Sequence, residues 1–325
     1  MIRFEHVDKR YDGGAPAVTD LTLEIPTGSI TVFVGPSGCG KTTSLRMINR
    51  MVDATTGTIE VDGRDIAGIA PHQLRRSMGY VMQAGGLMPH RTIAENIATV
   101  PRLLGTPKAQ ARRRADELLA TVGLDADLAR RYPAQLSGGQ QQRVGVARAL
   151  AADPPILLMD EPFSAVDPVV RAELQNELLR LQDQLSKTIV FVTHDIDEAI
   201  LLGDHVAVMG NGGVLQQFCP PSELLRAPAN DFVAHFIGRD RGFRALSFRP
   251  ATDLRWAPPA DYSDADLAAA VEVPPSASIR AALDAALTSW SGLALAVEQD
   301  GTAVGVLDAA EIGRQIGGRD QDVVA

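Results

Sequence analysis

Alternating apolar and polar positions open the chain, and continuous apolar runs follow them. Residues 1–27 alternate in this way (IRFEHV, then LTLEI), which predicts strands of an antiparallel edge sheet. The run ITVFV at 30–34 is apolar throughout, as expected for a buried parallel strand. A second β unit lies at TIEVDGRDI, where the Asp62-Gly63 pair is typical of a hairpin turn. The N-terminal part of the chain is therefore predicted to be mainly β structure.

Helical periodicity replaces this pattern from about Thr92 to Tyr132, with AQARRRADELLATVGL as the clearest amphipathic stretch. Helices and strands then alternate, in the order RVGVARALAAD (helix), ILLMDE (strand), VRAELQNELLRLQDQL (helix), TIVFVTH (strand) and DIDEAILLG (helix). Such alternation predicts a mostly parallel sheet with helices on both faces. The helical block at about 92–150 is therefore predicted to be a subdomain inserted into an α/β domain.

The composition changes again near the C-terminus. Residues 245–275 are rich in proline and aspartate, which indicates a linker or a degenerate element over about 238–270. Residues 271–325 then follow a β-α-β-β-α pattern. We therefore expect an α/β domain over 1–237, a linker or degenerate region, and a small α+β region after it.

Composition restricts the class of protein. The 325 residues carry a formal net charge of −9, which argues against a nucleic-acid-binding surface. The two cysteines, Cys39 and Cys219, predict neither a disulfide framework nor a Cys/His metal cluster. No apolar run approaches the roughly 18 residues of a membrane span, and residues 1–10 lack the apolar stretch of a signal peptide. The expectation is a cytoplasmic chain that meets a membrane only through a partner.

Residues Gly35 to Thr42 fit the phosphate-binding pattern G-x-x-x-x-G-K-[ST], between the strand at 30–34 and a helix predicted at about Lys41–Asn49. Glycines allow backbone N–H groups to turn towards phosphate oxygens, and the helix N-terminus adds a partial positive charge. Lys41 would reach the β- and γ-phosphates, and Thr42 would be a ligand of Mg²⁺. The alternative interpretation is a glycine-rich turn without a ligand.

The stretch ILLMDE at 156–161 supplies a second part of the predicted site. Its apolar residues predict a buried strand whose end presents Asp160 to a metal ion and Glu161 to water. A carboxylate in that place can orient and deprotonate an attacking water molecule. An apolar strand that ends in two acids is common in proteins, so it is the pairing with the glycine loop that favours a catalytic role.

A second serine- and glycine-rich turn lies in QLSGGQQQR at 135–143. Ser137, Gly138 and Gly139 open the helix QQQRVGVARAL, so this turn is also a helix N-terminus suited to phosphate. It belongs to the helical block, whereas the first loop belongs to the sheet domain. A plain helix cap is the alternative interpretation.

With these motifs, residues 1 to about 237 resemble an ATP-binding-cassette (ABC) ATPase, a member of the P-loop NTPases. LSGGQ at 136–140 matches the signature motif of that family, and Asp160-Glu161 matches its Walker B pair. The resemblance implies that Gln83, Glu161 and His194 are catalytic and that Thr42, Gln83 and Asp160 hold Mg²⁺. The residues that it implies in ATP binding are Tyr11, Gly35, Ser37, Gly38, Cys39, Gly40, Lys41, Thr42, Thr43, Ser137, Gly138, Gly139, Gln140 and Asp167.

Individual roles follow from the same resemblance. Tyr11 would stack on adenine, and Gln83 would sense both Mg²⁺ and a membrane partner. Asp167 matches the D-loop, and His194 would contact the γ-phosphate as the switch histidine. An ordinary strand-end aromatic is the alternative for Tyr11, since stacking needs only an exposed ring. His194 is favoured among the histidines because it ends a predicted buried parallel strand, where such folds bind ligands.

The family also implies partners. The signature turn would close the γ-phosphate site of a second copy, so that two chains arranged head to tail enclose two MgATP. The dimer would drive a separate permease from the cytoplasmic face of a bacterial plasma membrane, in a system that includes a substrate-binding protein. Residues 83–105 and 238–248 resemble the quaternary-amine group, which imports glycine betaine, choline, carnitine or proline betaine. The alternatives are an ABC ATPase of another importer class, for an amino acid or other small solute, and a non-transport ABC ATPase.

The C-terminal region resembles a single cystathionine-β-synthase (CBS) motif. SIRAALDAAL and AAEIGRQI are predicted helices, and GLALAV and AVGVLD are predicted strands joined by a turn at Asp300-Gly301. Osmoprotectant ATPases commonly carry two such motifs, with a regulatory role, whereas here the first is reduced to a proline-rich remnant at about 245–270. Pairing is therefore expected between two chains, across GLALAV and AVGVLD. A small appended fold without a ligand is the alternative.

Overall fold

The computed structural model describes residues 1–83, 86–164 and 166–318 of the chain. Three parts of the segments discussed above lie outside the described residues: 84–85 of the stretch 83–105, Ala165 in the D-loop segment SAVD (164–167) that ends at Asp167, and 319–325 of the CBS-like region. Internal contacts divide the chain into two compact units. The first is Met1–Leu224 with Pro228–Phe236, and the second is Leu225–Ala227 with Ile237–Ala325.

The first unit contains two β-sheets. A four-stranded antiparallel sheet has the order β2-β1-β4-β5, and a six-stranded sheet has the order β10-β9-β3-β8-β7-β6. In the larger sheet all neighbouring strands are parallel except β9 and β10. The strands are β1 Ile2–Arg10, β2 Pro16–Ile25, β3 Ile30–Val34, β4 Thr56–Val61, β5 Arg64–Asp65, β6 Met78–Val81, β7 Ile156–Asp160, β8 Thr188–Val192, β9 His205–Met209 and β10 Leu215–Cys219.

The alternation of strands and helices predicted from the sequence is confirmed. Strands β3, β7 and β8 are buried at every position, as continuous apolar runs require when both faces of a sheet are covered. The alternating N-terminal residues form the separate antiparallel sheet. Asp62 and Gly63 have φ angles of 50° and 73°, which make the predicted tight turn between β4 and β5. Strands β9 and β10 were not predicted from the sequence.

Ten helices accompany these strands in the described residues of the first unit and at its junction with the second. Four of them, α3 to α6, lie between β6 and β7 and form the predicted helical region, which is divided by short 3₁₀ turns. None of the helices in the described ranges combines the length and apolar character needed to cross a membrane. The helices are α1 Lys41–Ile48, α2 Pro71–Arg76, α3 Ile93–Ile97, α4 Thr99–Leu103, α5 Lys108–Thr121, α6 Gly138–Leu150, α7 Pro168–Leu185, α8 Ile196–Leu202, α9 Pro221–Arg226 and α10 Asp231–Ile237.

The second unit is built on a three-stranded sheet of order β11-β12-β13. Its predicted β-α-β-β-α order is observed as β11, α13, β12, β13 and α14, while the resemblance to a CBS motif and a regulatory role remain predictions. The elements are α11 Arg241–Ala245, α12 Asp264–Ala268, β11 Val271–Val273, α13 Ile279–Thr288, β12 Leu293–Val297, β13 Ala303–Asp308 and α14 Ala309–Gly318.

The segment 238–270 differs from the linker suggested by its composition. Leu246, Ala251 and Leu254 are buried in one hydrophobic cluster with Ile279 of α13. The indole of Trp256 packs on the same cluster and donates a hydrogen bond to the carbonyl of Ala251 (2.9 Å). These apolar residues are spaced irregularly among prolines and aspartates, so no helix or strand period reveals them in the sequence. The segment belongs to the core of the second unit.

The opposite face of the same sheet is also covered within the chain. Leu293 and Leu295 of β12 and Val306 of β13 pack against Tyr262 and Leu267. Alternate residues of a strand point to opposite faces, so these side chains and the cluster around Ile279 account for both faces. Pairing of two chains across β12 and β13, as expected from the sequence, would therefore have to displace Tyr262 and Leu267.

Candidate functional site

The glycine loop predicted to bind phosphate connects β3 to α1. Gly35 and Gly40 have φ angles of 155° and 92°, and a Cβ atom on either would lie 2.2 Å from a backbone oxygen, of Met209 and Ala17 respectively. Only glycine fits such close approaches. Helix α1 starts at Lys41, and Gly40 supplies no side chain to cap it, so the first N–H groups of α1 have no side-chain acceptor from their own cap. This is the arrangement in which helix N-termini bind anions.

Lys41 lies at the centre of this loop. Its ammonium group is buried and donates hydrogen bonds to the carbonyls of Gly35 (2.8 Å) and Pro36 (2.9 Å). The loop's own oxygens therefore hold the charge in place. Among the other loop residues predicted to bind ATP, Ser37 and Gly38 are exposed, while Thr43 is half-buried.

Thr42 and Asp160, the two predicted metal ligands from different motifs, meet directly. The Thr42 hydroxyl donates a hydrogen bond to Oδ1 of Asp160 at 2.7 Å, which joins the first turn of α1 to the end of β7. The Asp160 side chain is only 6% exposed. A hydroxyl and a carboxylate are hard oxygen ligands of the kind that Mg²⁺ prefers, and Mg²⁺ usually takes few protein ligands.

Two further side chains, not predicted from the sequence, contact the same carboxylate. Arg46 donates to Oδ2 of Asp160 at 3.2 Å, and the Tyr80 hydroxyl donates to the same oxygen at 3.1 Å. Burial raises the pKa of Tyr80 to about 12, although the hydrogen bond with Arg46 opposes that shift. Tyr80 is therefore a neutral donor at physiological pH. A signal for Arg46 existed in its spacing, because it lies four residues after Thr42 and so shares a helix face with it.

Glu161 follows β7 with a φ of 45°, a left-handed conformation that is strained for a residue other than glycine. Its N–H donates to the Val192 carbonyl of β8 at 3.0 Å, and its own carbonyl accepts from the Ser164 hydroxyl at 3.0 Å. These bonds fix the backbone so that the side chain leaves the end of the sheet. Strain of this kind is concentrated at functional sites.

The carboxylate of Glu161 brings together all three residues predicted to be catalytic. Its Oε2 lies 3.2 Å from Nδ1 of His194 and 3.4 Å from Nε2 of Gln83. The three residues follow β7, β8 and β6, which are neighbours in the sheet and run parallel. Their carboxyl ends therefore meet at one edge, where open α/β sheets bind ligands.

Tyr11, the predicted adenine-stacking residue, directly follows β1. It is 50% exposed, and Nζ of Lys9 lies 5.0 Å from the centre of its ring. Its carbonyl accepts from the N–H of Gly14 at 3.0 Å, so both contacts are local to the turn after β1. An exposed aromatic ring can stack on a base, so the adenine-stacking role of Tyr11 stays a prediction that its exposure allows.

The signature turn is a helix cap in this chain. The Ser137 hydroxyl accepts from the N–H of Gln140 (3.3 Å), and the Gln140 side chain accepts from the N–H of Ser137 (3.0 Å). This reciprocal pair is a capping box at the start of the 13-residue helix α6. A Cβ on Gly138 would meet nothing within 4 Å, so the turn is open to a large ligand there.

Asp167 and Gly139 connect the signature turn to α7. The Asp167 carboxylate caps α7 by accepting from the N–H of Val170 at 3.1 Å. A Cβ on Gly139 would lie 2.6 Å from Cγ1 of the same valine, so the start of α6 packs closely on the start of α7. One group of neighbouring turns therefore contains Ser137, Gly138, Gly139, Gln140 and Asp167. Among the described residues, no hydrogen bond joins this group to Lys41 or to the Thr42–Asp160 pair.

Cys39 is buried beneath the loop, so any part it takes in phosphate binding falls to its backbone. The side chain is 1% exposed, and burial raises the pKa of its thiol, with the nearby charge of Lys41 opposing the shift. The pKa of Cys219, also buried, is raised by burial as well. Thiolate is the reactive form, so a raised pKa and burial both reduce reactivity.

We expect neither thiol to react readily with N-ethylmaleimide at pH 7 in the folded protein. Mass spectrometry would follow labelling, with the protein in guanidinium chloride as the control in which both cysteines react. Labelling of Cys39 at the rate of glutathione, with the fold intact, would contradict the buried geometry.

The sequence profile of the family described as "ABC transporter" matches residues 18–164. The glycine betaine uptake system ATP-binding protein YehX of Escherichia coli (strain K12) is 53% identical over 254 residues, which cover 78% of this chain and 82% of that protein. The carnitine transport ATP-binding protein OpuCA of Listeria monocytogenes is 54% identical over 241 residues, covering 74% of this chain. This chain spans 60% of the length of that relative.

Two solved structures of ATP-binding cassettes are also similar to this chain. The dimeric structure of a post-hydrolysis state of an ATP-binding cassette bound to ADP and Pi superposes with a TM-score of 0.62 at 32% identity, over 68% of this chain and 99% of the other. A bacterial ABC transporter cassette, also dimeric, superposes equally well at 33% identity. These matches agree with the loop at Gly35–Thr42, with the carboxylates of Asp160 and Glu161 at the end of β7 and with the fold around them. The chain belongs to the ABC transporter ATP-binding proteins.

Proposed function

We propose that two copies of this chain bind and hydrolyse two MgATP, and that this reaction drives import of a quaternary ammonium or betaine solute through a separate membrane permease. The observation that carries the proposal is the meeting of Gln83, Glu161 and His194 at the sheet edge that also holds Lys41 and Thr42. The loop N–H groups and Lys41 would bind the phosphates.

Magnesium fits the residues present. Thr42 and Asp160 lie within hydrogen-bond distance of each other. Gln83 adds an amide oxygen at the same edge of the sheet. Two or three protein oxygens are typical where substrate phosphates and water complete the shell. When bound, the ion would neutralise charge on the phosphate oxygens. Arg46 and Tyr80 orient the Asp160 carboxylate from the opposite side.

For hydrolysis, Glu161 would orient a water molecule and accept its proton. As the water oxygen forms its bond to the γ-phosphorus, the bond from that phosphorus to the β–γ bridging oxygen breaks, and ADP leaves with the electron pair. His194 would donate its ring N–H to a γ-phosphate oxygen. Its contact with Glu161 supports this role, because the two groups would then lie on the same side of that phosphate.

The signature turn supports a dimeric site. Ser137 and Gly138 are exposed at the start of a helix whose N-terminus suits phosphate. The reciprocal hydrogen bonds of Ser137 with Gln140 are made within the turn itself. A second copy arranged head to tail would bring this turn to the γ-phosphate held by Lys41. The dimeric form of the two solved relatives supports this arrangement.

A groove in the helical region suits a docking segment of the permease. It has a volume of about 1090 Å³ and lies among the residues of α3, α4 and α5. Both carboxylates that line the groove already have partners. Glu95 accepts a hydrogen bond in the cap of α3, and Asp116 forms an ion pair with Arg112. We propose that a permease segment with acidic side chains binds there. The basic residues that line the groove are Arg91, Arg102, Lys108, Arg112 and Arg130.

The solute class rests on the similarity to YehX and OpuCA. In cells that lack their own betaine and carnitine importers, this chain and its permease and binding protein should restore uptake of radiolabelled glycine betaine, carnitine or choline under osmotic stress. Lys41→Ala should abolish that uptake, because the variant lacks the phosphate-binding ammonium. Uptake of a sugar or a polar amino acid in place of these solutes would refute the assignment.

A further inference from the structure

Glu198 is a buried carboxylate on α8, four residues after His194. It is 7% exposed, and its two oxygens accept hydrogen bonds from different elements. The Thr193 hydroxyl donates to Oε2 at 2.5 Å, and Nε2 of Gln175, on α7, donates to Oε1 at 3.1 Å. A buried carboxylate without such donors would be strongly destabilising, so both bonds are needed to keep it there.

The bond to Thr193 fixes the backbone on both sides of His194. While the Thr193 hydroxyl donates to Glu198, it also accepts from the N–H of Asp195 at 3.0 Å. The N–H of Thr193 donates to the Phe33 carbonyl of β3 at 3.1 Å. The residues before and after His194 are therefore tied to one buried hydroxyl, whose direction is set by Glu198.

Helix α7 holds the same segment at a second point. Arg171 lies one helical turn before Gln175, and its Nη1 is 3.9 Å from Oδ2 of Asp195. The side chain of Arg171 also donates to the carbonyl of Val166 (3.3 Å), just before the Asp167 cap of α7. Movement at the start of α7 is thus linked through these contacts to the backbone around His194.

We propose that Glu198 is a positioning residue that sets His194 against Glu161 and couples it, through Gln175, to α7. This inference rests on the proposed hydrolysis of ATP. The start of α7 lies beside the signature turn of its own chain, where Gly139 closely approaches Val170, and in a head-to-tail dimer that turn would close the site of the other chain. The network would then give each site a mechanical link to the turn that closes the site of the other chain.

The donor and acceptor pattern supplies a sharp test. In Glu198→Gln the new amide keeps the size of the side chain but replaces one acceptor oxygen by an NH₂ group, which finds an acceptor only if Gln175 turns its own amide over from its present arrangement. In the double variant Gln175→Glu/Glu198→Gln, the amide at 198 can donate to the carboxylate at 175, and its oxygen can still accept from Thr193. The double variant should therefore repair what the single variant breaks.

We expect Glu198→Gln to lower kcat for ATP hydrolysis about tenfold, with KM changed less than twofold, because small displacements of a catalytic group are costly. The double variant should recover at least half of the wild-type kcat. Asp183→Asn, the same chemical change at an exposed position of α7, is the matched control. Wild-type kcat in Glu198→Gln, or no recovery in the double variant while it remains folded, would overturn the proposal.

A second measurement does not depend on hydrolysis. In ¹⁵N-histidine-labelled protein, the His194 ring signals, assigned with His194→Gln, should shift in Glu198→Gln and return in the double variant. Unchanged His194 signals in Glu198→Gln would overturn the positioning role even if wild-type protein proved inactive. If the His194 signals shift and return in this way but the wild-type protein does not hydrolyse ATP, the proposed function is refuted and the positioning role of Glu198 stands.

Discussion

Glu161→Gln should lower kcat for ATP hydrolysis about 100- to 10,000-fold, the range that general-base catalysis contributes. Glutamine has the size of glutamate and keeps an oxygen acceptor for His194, but its amide cannot take a proton from water at neutral pH. Asp160 and Thr42, which are joined by their own hydrogen bond, are unchanged. Nucleotide affinity should therefore stay near that of the wild type, and the ATP-bound dimer should accumulate.

Phosphate release would measure turnover, and equilibrium binding of a fluorescent ATP analogue would measure affinity. Gel filtration with MgATP would detect the trapped dimer. Glu24→Gln, an exposed position on β2, is the matched control and should behave as wild type. Hydrolysis by Glu161→Gln within a few fold of the wild-type rate would show that another group activates the water.

Lys41→Ala and Ser137→Arg should each abolish hydrolysis alone and should complement each other when mixed. The first variant lacks the phosphate-binding ammonium, and the second fills the turn, open at Gly138, with a large side chain. In a mixed dimer, the intact glycine loop of the Ser137→Arg chain faces the intact signature turn of the Lys41→Ala chain. The other site of that dimer carries both defects.

An equal mixture should reach at most about one quarter of wild-type activity, because half of the dimers are mixed and each has one complete site in a two-fold arrangement. Cooperation between sites would lower this value, so mixed dimers should also be captured with two affinity tags in the presence of MgATP. Lys41→Ala chains that carry both tags are the control. Absence of any nucleotide-dependent mixed dimer would contradict a site shared between chains.

Several features of this protein were determined by the sequence itself, since each depends on residues close together in the chain. The glycine loop at 35–42 is one, because its pattern of glycines, lysine and threonine between an apolar strand and a helix start lies within a few consecutive residues. The buried strands around it could also be predicted from the sequence, because a strand that is buried on both faces requires uninterrupted apolar residues. The family followed from these motifs and their order.

The tertiary structure decided which groups meet. Gln83, Glu161 and His194 come together only because β6, β7 and β8 are neighbours, and no local pattern states the order of strands in a sheet. The contacts of Arg46 and Tyr80 with Asp160 depend on the same order. In the sequence, Glu198 is one of three acidic residues in DIDEAILLG. Only its burial against Thr193 and Gln175 in the folded chain distinguishes it from the other two.

The second unit gives the clearest contrast. Its β-α-β-β-α order was predicted, because each element has its own period. The packing of residues 246–270 into the core was not predicted, because the apolar residues of this segment have no regular spacing. Their place in the core is defined only by the surfaces of β12, β13 and α13 against which they pack. Local periodicity determines which segments become helices and strands, whereas irregular segments are ordered by the surfaces they cover, and those surfaces exist only once the chain has folded.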